Sequence, residues 1–161
     1  MDYLWSPWRY QYITNTKPLP GCIFCRLPQA DQDETNYIIY RGQYSFIILN
    51  IYPYMTGHLL IIPFVHVALL SELSKEISDE MMDLAKRCQM AILQEYKPQG
   101  FNLGMNLGQS AGAGVAEHIH LHILPRWVGD INFTTTISET RVLPETLDST
   151  YQRLKPYFTG N

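Results

Sequence analysis

The sequence predicts an α+β fold: an antiparallel sheet, one long helix inserted between its strands, and a short helix near the C-terminus. Three observations predict it. Short apolar runs at about residues 37–41, 44–49 and 58–63 follow one another with only turn residues between them. A single amphipathic stretch of helical period lies at about 79–96. Residues 117–127, EHIHLHILPRW, then alternate histidine with aliphatic residues, which is the strand period. Strands that neighbour each other in sequence, with a helix set among them, pair most simply as an antiparallel sheet.

The elements follow in chain order. Residues 1–21 hold Tyr3, Trp5, Trp8, Tyr10 and Tyr12, too much apolar surface for water, and read as a packed N-terminal arm. Gly21 to Leu27, GCIFCRL, is a tight knuckle, and 30–36 is a polar loop. Three strands come next, and NIYPYMTG between the last two reads as a turn through Pro53 and Gly57. Ser78 is the expected cap of the long helix, with Asp79 and Glu80 at the positive end of its dipole. Met81, Leu84, Ala85, Cys88 and Ile92 form its apolar stripe, and Pro98 and Gly100 end it. Met82 and Met90 read as packing residues. A strand at 101–106 leads into GQSAGAG (108–114) and then into the histidine strand, which Pro125 is expected to stop. A helix at about 144–156, with Pro144 in its first turn, turns Leu147, Tyr151 and Leu154 to one side. The 161 residues suit one domain: an arm at 1–21, a core at 22–128 and an extension at 129–161.

Composition narrows the function. A net charge of -3 gives no general affinity for nucleic acid or an anionic membrane, so any anion site must be local. No apolar run is long enough to span a bilayer. The stretch MDYLWSPWRYQYI lacks the basic-then-apolar order of a secretory signal, so the expectation is a cytoplasmic protein with reduced thiols. Cys22-x-x-Cys25 then reads as a metal knuckle sooner than a disulfide, two thiolates reaching one tetrahedral Zn²⁺. Two more ligands are needed; His66 is one candidate and a member of the histidine row the other.

His118, His120 and His122 would lie on one strand face, with Cα atoms of successive members roughly 6.5 Å apart, and Ile119, Leu121 and Ile123 on the other. Imidazoles are costly filler, since each ring nitrogen needs a partner and each ring titrates near neutrality. One reading makes His120 a nucleophile toward phosphorus, forming a covalent intermediate. Such chemistry needs one ring nitrogen held as a donor, donors for the phosphoryl oxygens and a proton for the leaving group. GQSAGAG offers backbone N–H groups for an anion, and His122 and His58 offer ring donors. A rival reading places a catalytic Zn²⁺ on His118, His120 and a third histidine, which leaves Cys22 and Cys25 unused.

His118-Ile-His120-Leu-His122-Ile-Leu resembles the signature of the histidine triad family. The order LWSPWRYQYI, GCIFC, LNIYPYMTGHLLIIP, NLGQSAGAGVAEHIHLHILPRW, GDINF and TRVLPETLDSTYQRL is similar to its bacterial branch near diadenosine tetraphosphate phosphorylases and hydrolases. The resemblance implies an antiparallel sheet of roughly five strands, a homodimer, and a nucleotidyl hydrolase or transferase that cleaves dinucleoside polyphosphates at the α-phosphate. His120 would carry the nucleotidyl intermediate and His122 would assist it. Asn50 would meet a ribose hydroxyl, and His58, Asn106, Gln109, Ser110, Gly112 and Gly114 with His122 would hold the nucleotide and its phosphates. Cys22, Cys25, His66 and His118 would bind a structural Zn²⁺. An adenosine phosphoramidase, or a nucleotide-binding protein with little turnover, are the alternatives. Two positions depart from the family pattern. Phe64 stands where a lysine is frequent, and Gly114 stands where many hydrolases carry glutamine or serine, which favours phosphate as the acceptor.

Overall fold

The structure, a computed structural model, describes residues 21–131 and 143–159. The expected aromatic arm lies, save for its last residue, outside the described residues, as do the end of GDINF and the start of TRVLPETLDSTYQRL. Five strands form one sheet in the order β1-β2-β3-β5-β4, every neighbouring pair antiparallel. They are β1 (Ile38–Arg41), β2 (Ser45–Leu49), β3 (Leu59–Pro63), β4 (Gly100–Gly104) and β5 (Leu121–Arg126). A short helix α1 (Ile23–Arg26) precedes the sheet, the long helix α2 (Lys75–Tyr96) separates β3 from β4, and α3 (Leu147–Leu154) follows β5. This is the α+β arrangement that the sequence predicts.

Every residue of β2 and β3 is buried, because both faces of the sheet are covered. On one face Ile47, Leu49, Leu59, Ile61, Leu121 and Ile123 pack under α2 and α3. On the other Ile38, Phe46, Ile48, Leu60 and Ile62 pack with Phe24 of α1. The apolar runs at 44–49 and 58–63 therefore lack alternation while the strands still send successive side chains to opposite sides.

Several boundaries differ from expectation. Helix α2 starts one turn early, with Ser74 as its cap: the Ser74 hydroxyl accepts the Ile77 N–H at 3.4 Å. Ser78 lies inside the helix and donates its hydroxyl to the Ser74 carbonyl at 3.0 Å. The first turn carries Lys75 and Glu76, so the apolar stripe that marks the helix begins only later. Met82 and Met90 are exposed and do not pack into the core, 52% and 66% accessible on the outer side of α2. Helix α3 is shorter than 144–156, capped by Thr146 and continued by a 3-10 turn at Lys155–Phe158.

The histidine segment departs most. Strand β5 begins at Leu121, so His118 and His120 precede the ladder and only His122 stands within it. Pro125 does not stop the pairing; it lies opposite Phe101. Pairing with β3 ends at Leu59 and Ile123, and the missing N–H of Pro125 points to that vacant side.

Candidate functional site

The site forms where four segments meet on the face opposite α2: the knuckle of α1, the 50–58 loop, the glycine-rich turn and the approach to β5. A cavity of about 90 Å³ opens there. His120, His122 and Leu60 line its floor, with Phe24 and Val115 along the apolar wall. Asn50, Tyr52 and Tyr54 close one side, and Asn106, Gly112 and Gly114 close the other.

Ring nitrogens can be assigned by following the hydrogen bonds. His120 Nδ1 lies 2.9 Å from the His118 carbonyl, which can only accept, so Nδ1 carries the proton and Nε2 keeps its lone pair. His58 Nδ1 lies 3.1 Å from the Tyr54 backbone N–H, so Nδ1 accepts and Nε2–H donates to His122 Nδ1 at 2.9 Å. The Asn50 side chain supports this tautomer: its oxygen accepts the Tyr52 N–H at 3.0 Å, which turns its amide N–H₂ toward His58 Nδ1 at 3.3 Å. The proton of His122 therefore sits on Nε2, a buried atom with no partner among the described residues. A buried donor without an acceptor is costly, and the cavity that His122 lines is where an acceptor would fit. Burial lowers the His122 pKa to about 4, with the nearby His120 adding to the effect. Burial also holds His120 below its ordinary value, against the opposing bond to the His118 carbonyl. Both rings are thus neutral at pH 7, one as a lone-pair donor and one as a proton donor. Their centroids lie 4.9 Å apart.

Cys22, Cys25, His66 and His118 converge beside this cavity, their ligand atoms all within 4.8 Å of one another. His118 Nδ1 is 3.3 Å from Cys22 Sγ, 3.6 Å from Cys25 Sγ and 3.3 Å from His66 Nδ1. Cys25 Sγ is 3.3 Å from His66 Nδ1. Ligand atoms around a tetrahedral Zn²⁺ with ordinary Zn–N and Zn–S bonds stand roughly 3.3–3.8 Å apart, so this donor set fits that ion. The His118 Nε2–H donates to the Pro63 carbonyl at 2.8 Å, which leaves Nδ1 as the ligand atom.

The structure thus separates the histidines that the sequence groups: His118 faces the sulfurs, while His120 and His122 face the cavity. Asn50, Asn106, Gly112 and Gly114 line the cavity, and His58 lies behind His122. Gln109 and Ser110 sit on an exposed 3-10 turn (Gln109–Ala111) and do not line it. Gly108 and Gly112 flank that turn with φ of 82° and 89°, which explains these two glycines as backbone geometry. Phe24, Tyr52, Tyr54, Leu60 and Val115 are the cavity residues that sequence reasoning missed. Leu60 was within reach, since alternation in β3 places it beside Ile62 and away from Ile61. Phe24 was marked only by standing between the two cysteines.

Comparison with protein families matches residues 31–128 to the HIT domain. A protein of Mycobacterium tuberculosis named AP-4-A phosphorylase is 38% identical over 96% of this chain and 83% of its own. An adenosine 5'-monophosphoramidase of Saccharomyces cerevisiae is 32% identical over 71% of this chain and 72% of its own. Among solved structures, a Zn-bound histidine triad family protein from Mycobacterium smegmatis is similar with a TM-score of 0.69 and 29% identity, covering 85% of this chain and 92% of that one. A domain match over most of the chain, a close relative along nearly all of it and a shared fold lead to one statement: the protein belongs to the histidine triad family.

Proposed function

We propose that this enzyme cleaves dinucleoside polyphosphates such as diadenosine tetraphosphate at the α-phosphate, through a nucleotidyl intermediate on His120, with inorganic phosphate as the preferred acceptor. The observation that carries the reading is the pair of opposed tautomers. Among the described residues, His120 has Nδ1–H on the His118 carbonyl and no partner at its Nε2 lone pair, beside a His122 Nε2–H that lacks an acceptor.

The chemistry follows from those atoms. His120 Nε2 attacks the α-phosphorus, and the bond to the leaving nucleoside triphosphate breaks. His122 Nε2–H and the backbone N–H of Gly114 donate to the nonbridging oxygens as charge builds there, while the Gly112 N–H closes the turn on the Gln109 carbonyl at 2.9 Å. A phosphate oxygen then attacks the same phosphorus and the P–N bond breaks, giving ADP and ATP from diadenosine tetraphosphate. Water in the same step gives AMP and ATP. Gly114 presents no side chain where a hydrolase holds an amide or hydroxyl, and the relative named AP-4-A phosphorylase supports phosphate as acceptor.

Asn50 lines the cavity, and the second lone pair of its side-chain oxygen, beside the bond from the Tyr52 N–H, would accept a ribose hydroxyl. Cys22, Cys25, His66 and His118 would hold Zn²⁺ in a closed four-ligand site, which supplies structure and leaves no position for water. The reading extends to one catalytic domain, a cytoplasmic location and a homodimer.

The test is product analysis. Diadenosine tetraphosphate with phosphate should yield equal ADP and ATP, and without phosphate turnover should fall sharply. AMP and ATP at the same rate with or without phosphate would make the protein a hydrolase. Turnover of an adenosine phosphoramidate alone would favour the activity named for the yeast relative.

A further inference from the structure

We propose that the Cys22–Cys25–His66 cluster positions the nucleophile: it sets the tautomer and orientation of His120 through His118 and Phe24. The inference rests on the reading of His120 as the nucleophile.

The reason lies in where the sheet stops. Residues 118–120 precede β5, so no ladder fixes the carbonyl that holds His120 Nδ1. The described restraints on this stretch come from elsewhere. The Ile119 N–H donates to the Val67 carbonyl at 2.7 Å, and His118 Nε2–H donates to the Pro63 carbonyl at 2.8 Å. Both acceptors flank His66, which the cluster ties to Cys25 and His118. His118 Nδ1 faces the cluster itself. Drawing the four ligand atoms together therefore fixes the His118 ring at both nitrogens, and with it the backbone that presents the His118 carbonyl.

Phe24 forms a second link. It stands between the two cysteines on α1, 8% exposed, and its ring meets His118 at 5.7 Å and 90° and His120 at 5.2 Å and 63°. The knuckle thereby presses an aromatic edge against the reacting imidazole. Without these restraints a free imidazole samples both tautomers, and the one with Nε2–H cannot attack phosphorus.

The experiment compares Cys25→Ser and Phe24→Leu with the wild type by metal analysis, ¹H–¹⁵N ring correlation of His120 and steady-state kinetics on diadenosine tetraphosphate with phosphate. In the wild type His120 should show a protonated Nδ1 and an unprotonated Nε2. Cys25→Ser should lose metal, move both ring nitrogens toward averaged values and lower kcat by about 10–100-fold, the usual cost of outer-shell support, with a smaller change in KM. Phe24→Leu should keep the metal and shift the ring nitrogens in the same direction. A folded, metal-poor Cys25→Ser with wild-type ring nitrogens and kcat overturns the proposal. Should that variant fail to fold, unchanged ring nitrogens and kcat in Phe24→Leu overturn it instead. Turnover that survives in His120→Ala overturns the functional reading, a result separate from the ring signals.

Discussion

The two faces of the sheet use the same strands for opposite ends. Under α2 and α3 lies a continuous apolar layer in which Leu59, Ile61, Ile92 and Ile123 are fully buried. The other face has a smaller apolar cluster that gives way to imidazoles, thiols and a cavity. The difference teaches that stability and chemistry can be separated at single-residue spacing. His122 faces the site while its neighbours Leu121 and Ile123 face the core.

Substitutions on the two faces should therefore give opposite phenotypes. The largest effect is expected from His120→Ala, which should lower kcat by about 10³-fold or more with folding stability and metal content retained. Equal loss of stability would erase the contrast between the faces. On the other face Ile61→Ala should cost about 2–5 kcal/mol in denaturant unfolding, with kcat near wild type in the folded fraction. A smaller effect should appear with acid. His120 and His122 are held below their ordinary value, so they stay neutral as pH falls through 6.5, and turnover should persist there. Below that point the unfolded chain takes up protons that the folded site refuses, so stability falls from about pH 6.5 toward the lowered value of about 4 at His122. A limb in kcat at or above pH 6.5 would contradict this. The smallest effect lies far from either face. Lys97 caps α2 in the left-handed region with φ of 48°, and Lys97→Gly should raise stability by about 0.5–1 kcal/mol with kcat unchanged.

The contrast also explains what could be read from the sequence. The apolar face announces itself through period: Met81, Leu84, Ala85, Cys88 and Ile92 mark α2, and the runs at 44–49 and 58–63 mark buried strands. The chemical face announces itself through residue type, since Cys22-x-x-Cys25 and three alternate histidines have few bland uses. Local pattern could not give the contacts that turn type into role. His118 and His120 share a spacing, yet one ring turns to the sulfurs and the other to the cavity because β5 begins at Leu121. The role of His58 depends on the Tyr54 N–H, a partner no side-chain pattern reveals. Ser74 was overlooked as a cap because the apolar stripe starts well inside the helix.

The seam between β3 and β5 joins Leu59 to Ile123 and Ile61 to Leu121 across the whole excursion of α2 and β4. Everything amino-terminal to α2 supplies Cys22, Cys25, Asn50, His58 and His66, and everything after it supplies the glycine turn and the triad. Neither piece alone holds the whole candidate site. Cleavage of the chain between His66 and Ser74 should yield two inert polypeptides whose mixture regains turnover on reassociation, a bipartite switch already written into the order of the strands.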